Sequence, residues 1–247
     1  RGRCPVGDWV YGFFMAWGMF LAIPCPKKVW RESARRRMLA CLPLVGCIVG
    51  GVWALCACLV QWLPGPLAAA LLAAAPWLAT GFLHLDGFMD VCDAVMSRRD
   101  LETRQRILKD SHCGAFAVIC MVLLAMGQWS AFLSARGLSL WGLALIPVAS
   151  RSCASLAVLT LRPLGSSQYS EMARGGGPVW FAAVCLTASA ALPAVLAGSF
   201  APLMTAAGYG LAVWYGFRQL DGMSGDISGF ALTVGELWGA VTLAVWR

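Results

Sequence analysis

The stretch MLACLPLVGCIVGGVWALCACLVQWL, running from Met38 to Leu63, contains no Asp, Glu, Lys or Arg. A helix needs about 20 apolar residues to cross the hydrocarbon core of a bilayer, so this run reads as a membrane span. Working outward from it, comparable apolar stretches occur at Trp9–Ile23, Leu67–Leu85, Ala115–Leu133, Leu138–Leu161, Val179–Gly198, Pro202–Phe217 and Ser228–Trp246. The expected fold is all-α: a polytopic integral membrane helix bundle of about seven to eight transmembrane helices. The first and seventh stretches are short enough to be tilted or re-entrant. Within the opening stretch, Gly46 and Gly50 stand four apart, a spacing that lets a neighbouring helix approach closely.

Composition agrees. The chain has 247 residues, of which 60% are apolar and 13% charged, with a mean hydropathy of +0.71. An ordinary soluble domain is nearer half apolar and a quarter charged, so a soluble globular enzyme is excluded. Disorder is excluded too, because a chain with 12 Trp and 11 Phe collapses or enters a bilayer. The longest polar interval is Asp86–Gly114, too short for a separate soluble domain. Residues 1–247 therefore read as one transmembrane domain with its site centred on 84–114. The eleven cysteines show no C-x-x-C pair and fall mostly in apolar runs, as small hydrophobes do; neither a disulfide framework nor a zinc site is expected. Val10 to Ile23 is not read as a signal-peptide core, because Pro24, Pro26 and a basic cluster follow it.

The formal charge of +7 comes from 19 Lys and Arg against 12 Asp and Glu. If all eight stretches span, one side receives the cations of Lys27–Arg37 and Arg98–Lys109 together with Arg162, Arg174 and Arg218. The other side receives only Arg1, Arg3, Arg136 and Arg247. The positive-inside rule makes the richer side cytoplasmic, with both termini outside. The basic excess is thus read as topology, and no nucleic acid partner is expected. Asp86, Asp90, Asp93, Asp100, Glu102, Asp110, Glu171, Asp221 and Asp226 fall at the same ends, and only Asp8 near the other side. Topology rules do not ask this of carboxylates; a site facing the cytoplasm does.

The strongest local signal is His84-Leu85-Asp86-Gly87-Phe88-Met89-Asp90-Val91-Cys92-Asp93. On a helix Asp86, Asp90 and Asp93 lie at about 0°, 40° and −20°, so the three carboxylates share one face. Like charges so close repel unless a cation sits among them. Oxygen-only ligands favour Mg²⁺ or Mn²⁺, and Mg²⁺ is commonly shared between one or two carboxylates and substrate phosphates. Asp86, Asp90 and Asp93 are therefore the candidate metal ligands, the alternative being a solvated helix end. Gly87 reads as a helix break. In Arg104-Gln105-Arg106-Ile107-Leu108-Lys109-Asp110-Ser111-His112, the cations can clamp phosphate oxygens or simply set topology. Arg151 and Glu236 stand inside apolar stretches, where an ionisable group faces a wet cavity or pairs with a partner, here with each other. Asp221 to Gly229 reads as a tight turn whose backbone amides suit phosphate oxygens, or as a plain inter-helix turn. Gly175-Gly176-Gly177-Pro178 is a loop without nucleotide-binding spacing.

Thr80-Gly81-x-x-His84-Leu85-Asp86-Gly87-x-x-Asp90-x-x-Asp93, followed by Ile107-Leu108-Lys109-Asp110-Ser111-His112-x-Gly114, resembles the signature of the cobalamin synthase (adenosylcobinamide-GDP ribazoletransferase) family. Ile23-Pro24-x-Pro26, Pro43-Leu44-Val45-Gly46, Ser150-Arg151 and Gly225-Asp226-x-x-Gly229 with Glu236 extend the likeness over most of the chain. Phe82, Phe88, Met89 and Cys92 depart from the pattern but leave its carboxylates unchanged, whereas residues 162–178 diverge and carry no transferable substrate contact. The resemblance implies a magnesium-dependent enzyme of the prokaryotic inner membrane. A ribose hydroxyl of α-ribazole, or of its 5′-phosphate, would attack the cobinamide-side phosphorus of adenosylcobinamide-GDP, and GMP would leave. Asp86 and Asp90 would hold metal, and Asp93 or His84 would accept the hydroxyl proton. Lys109 and Arg151 would steady phosphate oxygens, while Asp110, His112, Asp226 and Glu236 would complete the metal shell or bind the substrate. Lipid and a second copy of the chain are the other expected partners.

Two alternatives remain. A CDP-alcohol phosphotransferase also displaces a nucleoside monophosphate within a helix bundle, but resembles a pattern Asp-Gly-x-x-Ala-Arg that Asp90 and Val91 break. A solute or ion transporter would place its charges near mid-membrane between repeats, whereas these acids gather at one face.

Overall fold

The computed structural model describes residues 5–135, 137–165 and 179–246. The sequence readings that fall on Arg1, Arg3, Arg136, Glu171, Arg174, 175–178 and Arg247 lie outside the described residues. The main elements of the described chain are all helices, with α1 Pro5–Phe20, α2 Arg35–Ala40, α3 Leu42–Leu59, α4 Gly65–Ala79, α5 Leu83–Met96, α6 Leu101–Ile107, α7 Ala115–Ser134, α8 Leu140–Thr160, α9 Val179–Ala197, α10 Ala201–Leu220 and α11 Gly225–Val245. A π-helical turn, Thr187–Ala191, interrupts α9.

Among the described residues five helices are long and apolar enough to cross a membrane, namely 42–62, 115–134, 140–160, 179–197 and 225–245, or six if a bent pair counts as one span. Large apolar side chains that face outward, such as Trp62, Trp141, Val195 and Leu196 at 84, 79, 81 and 73% exposure, suit lipid contact. The bundle is a multi-pass membrane protein, with fewer unbroken spans among the described residues than the eight stretches suggested. α10 is long but less apolar. α1 has 16 residues, about 24 Å of helix, short of the roughly 30 Å hydrocarbon core. Moreover Asp8, expected on the side opposite the basic cluster, accepts a bond from Arg37 Nη1 at 2.6 Å, and Gly12 packs directly on Arg37. α1 and α2 thus lie side by side.

The third stretch is the bent pair: α4 and α5 meet at 93°. The corner is Thr80-Gly81-Phe82, where Gly81 and Phe82 both take positive φ, 60° and 63°. Gly81 adopts this at little cost, while Phe82 is strained there. Thr80 Oγ1 donates back to the Pro76 carbonyl at 3.0 Å. The corner, about one turn before Asp86, replaces the break expected at Gly87, which sits inside an uninterrupted α5.

The spacing of Gly46 and Gly50 does what it predicts. A Cβ on Gly46 would fall 2.5 Å from the Pro147 carbonyl oxygen of α8, and one on Gly50 would overlap the Ala144 carbonyl. α3 and α8 therefore pack backbone to backbone. α8 is the central span, 78% buried, flanked by α3, α10 and α11. At one end Arg104 bonds to Gln219, Gln105 Nε2 donates to the Leu220 carbonyl at 2.8 Å, and Arg162 pairs with Asp221 at 2.5 Å. These bonds gather the α6 region, the end of α8 and the α10–α11 turn at one polar end, next to the candidate site.

Candidate active site

α5 supplies the Asp-rich face, and the crossing of α5 with α11 turns it into a site. The crossing is close because two glycines permit it: a Cβ on Gly87 would lie 2.8 Å from Asp226 Cα, and one on Gly229 would lie 3.1 Å from the His84 carbonyl oxygen. Phe88 and Phe230 stack across it, ring centres 5.6 Å apart. Thr233 Oγ1 donates to the His84 carbonyl at 3.4 Å. Asp226 is thereby delivered from α11 beside Asp86.

Asp221 to Gly229 is therefore only in part the expected turn. Asp221 takes a left-handed φ of 60° to end α10, and Ser224 caps α11 by accepting from the Ile227 amide at 3.2 Å. From Gly225 onward the chain is helix. Gly225 and Gly229 stand four apart, the small-residue spacing already recognised in α3; applied here, it could have identified this packing face from sequence.

A cavity of about 120 Å³ opens at the crossing. His84, Asp86, Gly87, Arg151, Gly225, Asp226, Ser228 and Gly229 line its polar wall, and Phe20, Leu39, Leu42, Leu83, Val158 and Leu232 its apolar one. Asp86 is exposed and Asp226 half-buried. Asp90, one turn deeper, lies within electrostatic reach of Asp86, Asp226 and Asp93. With the carboxylates in the lining is Arg151, 1% exposed, whose Nη1 donates to Glu236 Oε1 at 2.6 Å. Ser150 Oγ donates to the same oxygen at 2.9 Å. The two mid-span charges thus pair with each other, and Arg151 also reaches the cavity wall. Its Nε and Nη2, and the Nε2 of His84, are buried without a protein partner. An unsatisfied buried polar group costs about 1–3 kcal/mol and a charged one more, so three such atoms on two residues that line the cavity mark it as a candidate site for a polar ligand.

Asp93 is differently placed. Its Oδ2 accepts from the Gly114 amide at 2.6 Å and its Oδ1 from the Ala117 amide at 2.9 Å. It caps the first turn of α7, where a carboxylate meets both free amides and the positive end of the helix dipole. Asp93→Ala is expected to destabilise the protein by about 1–3 kcal/mol. Gly114→Ala, whose Cβ would fall 2.6 Å from Asp93 Oδ1, acts in the same direction. Tryptophan fluorescence during thermal melting of the solubilised protein measures both, and unchanged midpoints would remove the capping role.

Lys109, Asp110 and His112 lie on an exposed turn outside the cavity lining. Asp110 accepts from the His112 amide at 3.0 Å and pairs with its ring Nδ1 at 2.6 Å. Those bonds to His112, side chain first, hold the Asp110 carboxyl below its ordinary range.

Among the described residues no three His, Cys, Asp or Glu side chains converge to hold an ion unaided. The donors that do face the cavity, Asp86 and Asp226 with Asp90 behind, are oxygen-only and come from two helices. That set fits Mg²⁺ or Mn²⁺ in its usual sharing mode, in which phosphate oxygens and waters complete the shell.

Residues 12–244 match the family described as cobalamin-5-phosphate synthase. An adenosylcobinamide-GDP ribazoletransferase of Clostridium botulinum (strain Alaska E43 / Type E3) is 37% identical over 239 residues, covering 92% of this chain and 94% of that protein. Proteins of the same name from Clostridium perfringens (strain 13 / Type A) and Geobacillus kaustophilus (strain HTA426) are 34 and 32% identical, each covering 94% of this chain and 96 and 95% of their own. No solved structure matches.

Proposed function

Because this chain belongs to the cobalamin-5-phosphate synthase family, we propose that it performs the joining step of cobalamin synthesis as an adenosylcobinamide-GDP ribazoletransferase. A ribose hydroxyl of α-ribazole, or of its 5′-phosphate, attacks the cobinamide-side phosphorus of adenosylcobinamide-GDP. A P–O bond forms, the bond to the bridging diphosphate oxygen breaks, and GMP leaves with its electron pair.

The observation that carries this reading is the cavity between α5, α8 and α11, whose lining brings together Asp86, Asp226 and an Arg151 with two unpartnered guanidinium nitrogens. A diphosphate under attack gathers negative charge on bridging and non-bridging oxygens, and preorganised charges at those points are the main catalytic resource. Asp86, Asp226 and Asp90 would hold Mg²⁺ or Mn²⁺, which supplies neutralisation of that charge and alignment of nucleophile and leaving group. His84, a residue of the cavity lining whose Nε2 is buried and unpartnered, is assigned the hydroxyl proton; Asp93, committed to α7, is assigned to the scaffold. At about 120 Å³ the cavity suits the reacting diphosphate, so the corrinoid and the base lie beyond its mouth. Lys109, Asp110 and His112, exposed outside the cavity lining, would meet those parts of the substrates.

The test supplies solubilised protein with adenosylcobinamide-GDP, α-ribazole 5′-phosphate and Mg²⁺, and follows GMP. Release that requires the acceptor and stops on chelation supports the reading; no release from folded protein sinks it. A CDP-alcohol in place of adenosylcobinamide-GDP is expected to yield no nucleotide.

The site is read as cytoplasmic, in the cell membrane of a prokaryote, because the cation-rich segments meet at its end of the bundle. Cys113, exposed beside the site, reports on this. A membrane-impermeant maleimide is expected to label it in inverted vesicles and not in intact cells, with Cys113→Ser abolishing the difference. Equal labelling from outside would reverse the orientation.

A further inference from the structure

The guanidinium of Arg151 is divided between two tasks by the groups around it. Its Nη1 is fully engaged, donating to Glu236 Oε1 at 2.6 Å, to the Pro147 carbonyl at 3.3 Å and toward Ser150 Oγ at 3.3 Å. Its Nε and Nη2 have no protein partner, are buried, and belong to a residue that lines the same cavity as Asp86 and Asp226. A guanidinium presents its donors in a rigid planar fork, so fixing one nitrogen fixes the direction of the others.

We propose that the Nε–Nη2 edge of Arg151 is a two-pronged diphosphate anchor, and that Glu236 with Ser150 is its positioning device, touching no substrate. This deepens the reading above and rests on it for the substrate class. The division of labour has a physical basis. An arginine buried alone in a membrane bundle is costly; Glu236, 2% exposed, compensates it in the free protein. The charge is thus retained at depth, and the free edge meets two phosphate oxygens in parallel, as carboxylate and phosphate partners of arginine do. Arginine and carboxylate-bound metal would then hold one diphosphate in the same cavity. Lysine could keep the ion pair with Glu236 but has no second edge.

The probe is inorganic pyrophosphate with Mg²⁺, titrated calorimetrically into the full-length solubilised chain, with thermal midpoints measured on the same samples. Arg151→Lys is expected to weaken pyrophosphate binding by about tenfold or more with the midpoint of the unliganded protein little changed. Glu236→Gln keeps an acceptor on Nη1 and removes the competing negative charge, so pyrophosphate is expected to bind roughly threefold tighter. Purely structural pairing moves the midpoints and leaves both affinities as in wild type. That outcome, or weaker binding by Glu236→Gln, overturns the proposal, and the glutamine variant decides the matter alone should Arg151→Lys not fold. Failure of the two readings is distinguishable: pyrophosphate affinity that follows Arg151 without GMP release removes the joining reaction and keeps the anchor. GMP release with pyrophosphate affinity indifferent to Arg151 does the reverse.

Discussion

Asparagine in place of Asp86 is expected to lower kcat for GMP release by about 10²–10³-fold, or roughly 3–4 kcal/mol of barrier, while the protein melts near the wild-type temperature. Asp86 is exposed on the cavity wall. The substitution is isosteric and removes only charge, so the loss falls on the metal-assisted chemistry and not on folding. Asp226→Asn, facing Asp86 from α11, is expected to behave alike. Asp93→Asn is expected to invert the pattern: its amide nitrogen would oppose a backbone N–H at the start of α7, so the thermal midpoint falls more than turnover does. Steady-state rates beside melting curves for the three variants check this. Turnover by Asp86→Asn within a few fold of wild type would take the carboxylates out of the mechanism.

The largest effect on folding is expected from Gly50→Leu. The Gly50 Cα faces the Ala144 carbonyl of α8 so closely that a Cβ would overlap it, and the obstacle is backbone within the most buried span. Overpacking a core typically costs about 1–3 kcal/mol when side chains can yield; backbone cannot, so the cost exceeds that range. α8 also carries Ser150 and Arg151, and prising it from α3 would displace the cavity wall. The expected result is loss of monodisperse protein on size exclusion, with residual material inactive. Gly51→Leu, whose Cβ would meet nothing within 4 Å, is the control. Equal behaviour of the two would show that the α3–α8 contact does not hold the bundle.

Several of these features are legible in the one-dimensional chain because the signals are local. Uncharged runs such as Met38–Leu63 require helices, since a bilayer offers no hydrogen bonds to any other backbone. The spacing of Asp86, Asp90 and Asp93 places them on one stripe of α5 by helix geometry alone, and Gly46-x-x-x-Gly50 marks a close contact without naming its partner. Arg151 and Glu236 are conspicuous because charge is rare at depth.

The tertiary structure decides what those residues meet. Asp93 shares a stripe with Asp86 yet serves α7, because the chain returns through Gly114 and brings two free amides to its oxygens. Asp226 is distant in sequence and joins Asp86 only because Gly87 and Gly229 let two helices cross at backbone distance. The corner falls at Gly81-Phe82 and not at Gly87, since a helix breaks where packing makes it turn, and a glycine held between two helices is needed for its missing side chain. Asp8 meets Arg37 because α2 packs alongside α1, with Gly12 against the Arg37 backbone. Local chemistry sets the helices and the carboxylate stripe. Which charge faces metal, phosphate or another helix depends on contacts between segments far apart in the chain, and these arise only when the bundle closes.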